Sequence, residues 1–199
     1  MPKGKRPESK PLVEAVKIWL RDLEVADDIM AGDVPELGHT LEVRPPGLKK
    51  HVRLTQVGVG VSQLLPVIVL CLLAPPDSLV LLEQPELHLH PKTQQGLAEF
   101  FIAATASGRQ LIIETHSEYL VKRLLYAIAR DKSDKTYRRI GFIYSERDAK
   151  TGTTTYSPVV PNQFGGFDRW PDGFFDEGSE EAKRILTAAF EKRTSHTSD

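Results

Sequence analysis

The sequence predicts an α/β fold. Two short apolar runs, Leu79–Leu82 and Leu111–Ile113, each lead straight into an acidic residue and a polar turn, and a stretch with helical spacing, Lys92–Ala106, separates them. Runs this short do not make helices, and flanking a helix they fit strands of a parallel sheet. In open α/β sheets ligands collect beyond the carboxyl ends of the strands. Glu83 to His90, directly after the first run, is therefore the first place to look for chemistry.

Composition bounds the rest. With 199 residues one domain is the default, and 40% hydrophobic with 27% charged residues is enough to fill a core. The 26 basic residues nearly cancel the 27 acidic ones, so only a local patch could carry nucleic-acid binding. The single cysteine, Cys71, cannot form an internal disulfide, which fits a reducing compartment, the cytoplasm. The first residues are basic but lack an apolar core, unlike a signal peptide. Leu64–Ala74, the longest apolar run, contains Pro66 and falls short of the ~20 residues that span a bilayer, so it reads as a buried helix and no membrane contact is expected.

Taken in order, residues 1–10 lack periodicity and read as a disordered tail. Leu12, Val16, Trp19, Leu20 and Leu23 recur at helical spacing, with Pro11 suited to the first turn and Lys17 and Arg21 on the opposite face. Between Leu37 and Leu54, two alternating pieces flank Pro45-Pro46-Gly47 and read as a hairpin. Gly58-Val59-Gly60-Val61-Ser62-Gln63 reads as a loop whose glycines allow close backbone approach and whose Ser62 caps the next helix. A helix amino terminus attracts anions, and a plain capped turn is the alternative. Pro75-Pro76-Asp77 ends that helix, and Gly108 stops the one after it.

Ser117 reads as the cap of a further helix through Tyr119, Leu120, Leu124, Leu125 and Ile128, with a loop at Asp131–Lys135. Arg139–Ser145 is expected as a third strand of the sheet, paired with GTTTYSPVV as a hairpin. Arg130, Lys132, Lys135, Arg138 and Arg139 form a basic cluster, read as a solvated face with a nucleic-acid contact as the alternative. Phe164, Phe167, Trp170, Phe174 and Phe175 are expected to pack the carboxyl-terminal segment onto the sheet, with a partner surface as the alternative, before a last helix at Glu180–Lys192. His88 and His90 have a spacing that also suits a metal-dependent hydrolase. Glu86 reads either as a solvated turn residue or as a catalytic carboxylate.

Four segments carry a family resemblance. LVLLEQPELHLHP (Leu79–Pro91) resembles the Walker B segment of ABC-type ATPases of the RecF, SMC-like and OLD-type branch. VGVGVSQLLP (Val57–Pro66) resembles that branch's signature loop, and QLIIETHSEYL (Gln110–Leu120) its switch-histidine strand. RWPDGFFDE (Arg169–Glu177) resembles the carboxyl-terminal block of a bacterial subgroup. The resemblance implies ATP and Mg²⁺ as cofactors. It places Glu83 as the metal-shell ligand, Gln84 where the general-base glutamate stands, and Glu86 as the residue that could replace it. His116 becomes the γ-phosphate sensor, and Gly58, Gly60, Ser62 and Gln63 the loop offered to ATP on the opposite subunit.

The sequence has no G-x-x-x-x-G-K followed by Ser or Thr. The resemblance thus implies a partial P-loop NTPase sheet with flanking helices that lacks the Walker A strand, the carboxyl-terminal half of a dimeric ATPase completed by a Walker A-bearing chain. Residues 11–160 would form that lobe and 161–199 the aromatic block, helix and tail. Relatives of this kind serve in DNA repair and antiphage defence. A non-catalytic interaction module is the alternative. Without the Walker A strand, Arg139–Ser145 is expected either to slide over and pair with Leu111–Glu114 or to leave an apolar sheet edge exposed.

Overall fold

The computed structural model describes residues 12–34, 38–168, 175 and 177–196. The chain divides into two compact units, Met1–Leu124 and Leu125–Asp199. The tail at 1–10 lies outside the described residues.

The first unit begins with α1 (Leu12–Asp22), which buries Val16 and Leu20. A meander follows, with strands β1 (Asp28–Val34), β2 (Gly38–Arg44) and the two-residue β3 (Val52–Arg53). The expected hairpin is only part of it. β2 pairs with β1 along its whole length, from Asp28↔Arg44 to Val34↔Gly38, whereas β3 adds only Glu42↔Arg53 and Val43↔Val52. β1 escapes a sequence reading because its Asp and Gly residues are poor strand formers, and pairing rather than propensity holds it.

Helix α2 (Val59–Leu73) turns Leu64, Leu65, Ile68 and Cys71 inward. It is not wholly buried as its composition suggests, since Leu70 and Leu73 face outward. Burial pushes the Cys71 thiol up to about 11, so it stays protonated and inert. The carbonyls at the end of α2 are satisfied by Arg109, which donates to Leu72 O at 3.2 Å and to Ala74 O.

Strand β4 (Leu79–Glu83), helix α3 (Pro91–Thr105) and strand β5 (Gln110–Glu114) make the predicted βαβ unit. The two strands are parallel, in register from Leu79↔Gln110 to Glu83↔Glu114. Val80 and Leu82 of β4 join Leu97, Phe100 and Phe101 of α3 in the core, where the Trp19 ring meets Phe100 edge-on at 4.9 Å. Gly108, at φ +90°, makes the tight stop between α3 and β5. Helix α4 (Glu118–Arg130) then begins, its first turns packing Leu120 and Val121 inward.

The second unit contains the end of α4, the antiparallel pair β6 (Phe142–Arg147) and β7 (Thr154–Val159), and α5 (Glu177–His196). The hairpin forms as expected, but Arg139–Ser145 is not a third strand of the parallel sheet. Tyr137–Arg139 is a 3-10 turn, β6 starts only at Phe142, and among the described residues β6 pairs with β7 alone. The preceding loop is pinned by Asp131, which accepts hydrogen bonds from the side chains and amides of Ser133 and Thr136 that hold its carboxyl well below the usual range. Phe167 packs edge-on against Phe142 at 5.3 Å, while Phe164 is exposed. Trp170, Phe174 and most of the Arg169–Glu177 block lie outside the described residues.

Candidate functional site

The pleat of β4 sets the site. Val80 and Leu82 face the core, so Leu79, Leu81 and Glu83 face the other way. The register places Glu83 beside Glu114, and both carboxylates are exposed at the carboxyl end of the parallel pair. Glu114 is a site residue that the sequence reading did not single out, although an acid closes both apolar runs.

The turn after β4 is built under strain. Gln84 and His88 both adopt left-handed backbone, φ +44° and +60°, at a cost of roughly 1–3 kcal/mol each. Main-chain hydrogen bonds hold it: Gln84 N donates to Glu114 O at 2.9 Å, Leu87 N to Gln84 O at 3.2 Å and Leu89 N to Glu86 O at 3.1 Å. The turn runs into α3 through His90, whose Nδ1 accepts from Lys92 N at 3.3 Å, with Pro91 at the first helical position. His90 is thus a helix cap, and no three metal-ligating side chains cluster among the described residues. The His88/His90 metal-site alternative gains no support from this geometry.

Glu86 is not the solvated turn residue that was one expectation. It is 5% exposed, its Oε1 accepts from the His116 amide at 2.8 Å, and its buried Oε2 has no hydrogen-bond partner among the described residues. The next residue, Ser117, caps α4 as expected by accepting from Leu120 N at 3.0 Å, and it donates to Gln94 Oε1 at 2.5 Å. Gln94, also unforeseen, donates in turn to Leu89 O at 2.9 Å. The His116 ring is exposed, with Nε2 3.8 Å from Glu114 Oε1.

The glycine motif is helix rather than loop. Gly58 is the N-cap of α2, and Gly60, Ser62 and Gln63 lie in its first turns. Ser62 does not cap this helix; its hydroxyl donates to Leu54 O at 3.4 Å. A Cβ on Gly60 would stand 2.8 Å from His88 O and 3.2 Å from Leu89 Cδ2, so the helix start and the turn after β4 are in direct contact. Gly60→Ala is expected to lower stability by ~1–3 kcal/mol, because the backbone carbonyl it meets must move. A thermal melt of the variant that matches the parent would contradict this packing.

The family described as "AAA domain, putative AbiEii toxin, Type IV TA system" matches residues 10–122, more than half of the chain. The chain belongs to this AAA-domain family. The match is nearly coextensive with the first compact unit. No curated protein matches the sequence.

Among solved structures, the AAA domain is similar to a chain from work on ATP-driven dimerization and DNA-stimulated activation of SMC ATPases. There the TM-score is 0.52 at 13% identity, covering 74% of this chain and 83% of that one. An Smc head domain with coiled coil and joint from Pyrococcus yayanosii gives 0.55 at 13%, covering 74% and 26%. An Smc head with an extended coiled coil, bound to the C-terminal domain of ScpA and derived from Pyrococcus furiosus, gives 0.54 at 14%, covering 89% and 37%. The chain therefore spans well under half of the two longer relatives. At these identities the likeness establishes the fold, the α/β architecture of an ABC ATPase-like, P-loop NTPase head. Among the described residues no helix is long and apolar enough to cross a membrane.

Proposed function

We propose that this chain is the carboxyl-terminal half of an ABC-type ATPase, contributing to an ATP site that a Walker A-bearing chain completes. The observation that carries the reading is the turn from Glu83 to His90, which touches both other motifs: Glu86 bonds the His116 amide, and Gly60 packs on His88. Glu83, exposed at a strand end beside Glu114, suits a hard divalent cation, and Mg²⁺ there would neutralise phosphate charge. Gln84 orients the attacking water, His116 senses the γ-phosphate with its exposed ring, and Gly58, Gly60, Ser62 and Gln63 form the helix start offered to the opposite subunit's nucleotide. Arg169–Glu177 belongs to the carboxyl-terminal block of the bacterial subgroup. The cytoplasm is the compartment, and DNA repair or antiphage defence the setting.

The same geometry also accommodates a non-catalytic interaction module, and the specific observation in its favour is Gln84 at the position of the general base. Adding the Walker A-bearing chain separates the two readings. Alone, the chain is expected to bind ATP-Mg²⁺ weakly and not to hydrolyse it, since it lacks the Lys-bearing phosphate loop. Turnover is expected on mixing. Calorimetric titration showing micromolar ATP binding by the chain alone, or no turnover in the mixture, overturns the proposal.

A further inference from the structure

We propose that Glu86 is the positioning residue of the switch histidine, holding the His116 backbone at the strand end, and is not a general base. This rests on the ATP-site reading above. A base for water attack must reach that water, whereas Glu86 is 5% exposed and one of its oxygens is committed to the His116 amide at 2.8 Å. The other oxygen is buried and has no hydrogen-bond partner among the described residues.

Gln94 completes the tie one residue further on. Both ends of its amide are used, Nε2 on Leu89 O and Oε1 on the Ser117 hydroxyl, so its orientation is fixed by the turn and passed to the loop. The loop is thereby fastened at two successive residues, His116 by main chain and Ser117 by side chain. The His116 ring stays exposed, beside Glu114. The histidine can move its ring about an anchored backbone, the arrangement a phosphate sensor needs.

Three variants of the completed assembly test this. Glu86→Gln keeps an acceptor oxygen and is expected to retain turnover within a few-fold. Glu86→Asp keeps the charge but draws back from the amide, and like Glu86→Ala it is expected to lose on the order of 10²-fold in kcat with little change in KM, the penalty of a misplaced group. In a His116→Ala background the Glu86 substitutions should cost nothing further. A Glu86→Gln variant as impaired as Glu86→Ala would make Glu86 the base, and full additivity with His116→Ala would make its role merely structural; either overturns the proposal. On the full chain alone, the ¹H–¹⁵N resonance of the His116 amide should move in Glu86→Asp and Glu86→Ala and stay close to the parent in Glu86→Gln. That measurement needs no turnover, so an assembly that never hydrolyses ATP overturns the ATP-site reading, while an unmoved amide overturns the Glu86 tie.

Discussion

On the proposed ATP-site reading, in an assembly completed by a Walker A-bearing chain, Glu83→Ala is expected to abolish ATP turnover and Gln84→Glu to raise it by ~10²- to 10⁴-fold, the usual range for general-base help. The first effect would follow from losing the carboxylate that is proposed to hold Mg²⁺. The second follows from chemistry and position together. A glutamine carbonyl orients water but cannot take its proton. The backbone at Gln84 is set by the bond from its amide to Glu114 O, not by its side chain, and Glu is no worse than Gln at φ +44°. The substitution therefore changes the head group without moving the turn. It also adds a third carboxylate beside Glu83 and Glu114, so the gain depends on bound Mg²⁺ and should collapse on chelation more steeply than the parent's turnover does. Steady-state hydrolysis across a Mg²⁺ titration reads all of these effects. If Gln84→Glu changes nothing while Glu114→Ala silences the assembly, the base is Glu114, acting beside His116.

The βαβ unit was legible because it rests on local pattern: an apolar run, an acid, a turn, a helix with Pro91 at its start and Gly108 after its end. So was Ser117 as a cap, since that role needs only its own neighbours. What was not legible depends on contacts remote in sequence. β1 is a strand because β2 pairs with it. Ser62 looks like a cap, but the helix already starts at Val59, and nothing local says so. Glu86 in a polar turn reads as solvated or as a catalytic carboxylate; the hydrogen bond that fixes it comes from the His116 amide, thirty residues later. Glu114 was in plain view as the mirror of Glu83, but only the register shows the two acids abreast. Gln94 carries no motif at all and gains its role from reaching Leu89 and Ser117 at once.

The isolated chain is expected to self-associate reversibly through the β4–β5 sheet, and to stop doing so when the proposed Walker A-bearing half is present. Of the two outcomes foreseen for the strand after the histidine, pairing with Leu111–Glu114 is not the one adopted, since β5 pairs only with β4 among the described residues. The other remains. Parallel sheets are almost always covered on both faces, yet here one face packs Val80 and Leu82 inward while the other leaves Leu79, Leu81 and Ile112 at 54%, 64% and 52% exposure. Leu81 and Ile112 are register partners, so they form a continuous apolar patch below the acidic pair. Completing the burial of three half-exposed side chains is worth ~3 kcal/mol at ~1.5–3 kcal/mol per full side chain, roughly a hundredfold in an association constant. Leu81→Lys with Ile112→Lys should remove that gain and leave the chain monomeric, with Val80 and Leu82 still packed and the fold intact by circular dichroism. Analytical ultracentrifugation over a wide concentration range decides it. A parent chain that sediments as a monomer throughout, indistinguishable from the double lysine variant, would show that this face does not seek a cover.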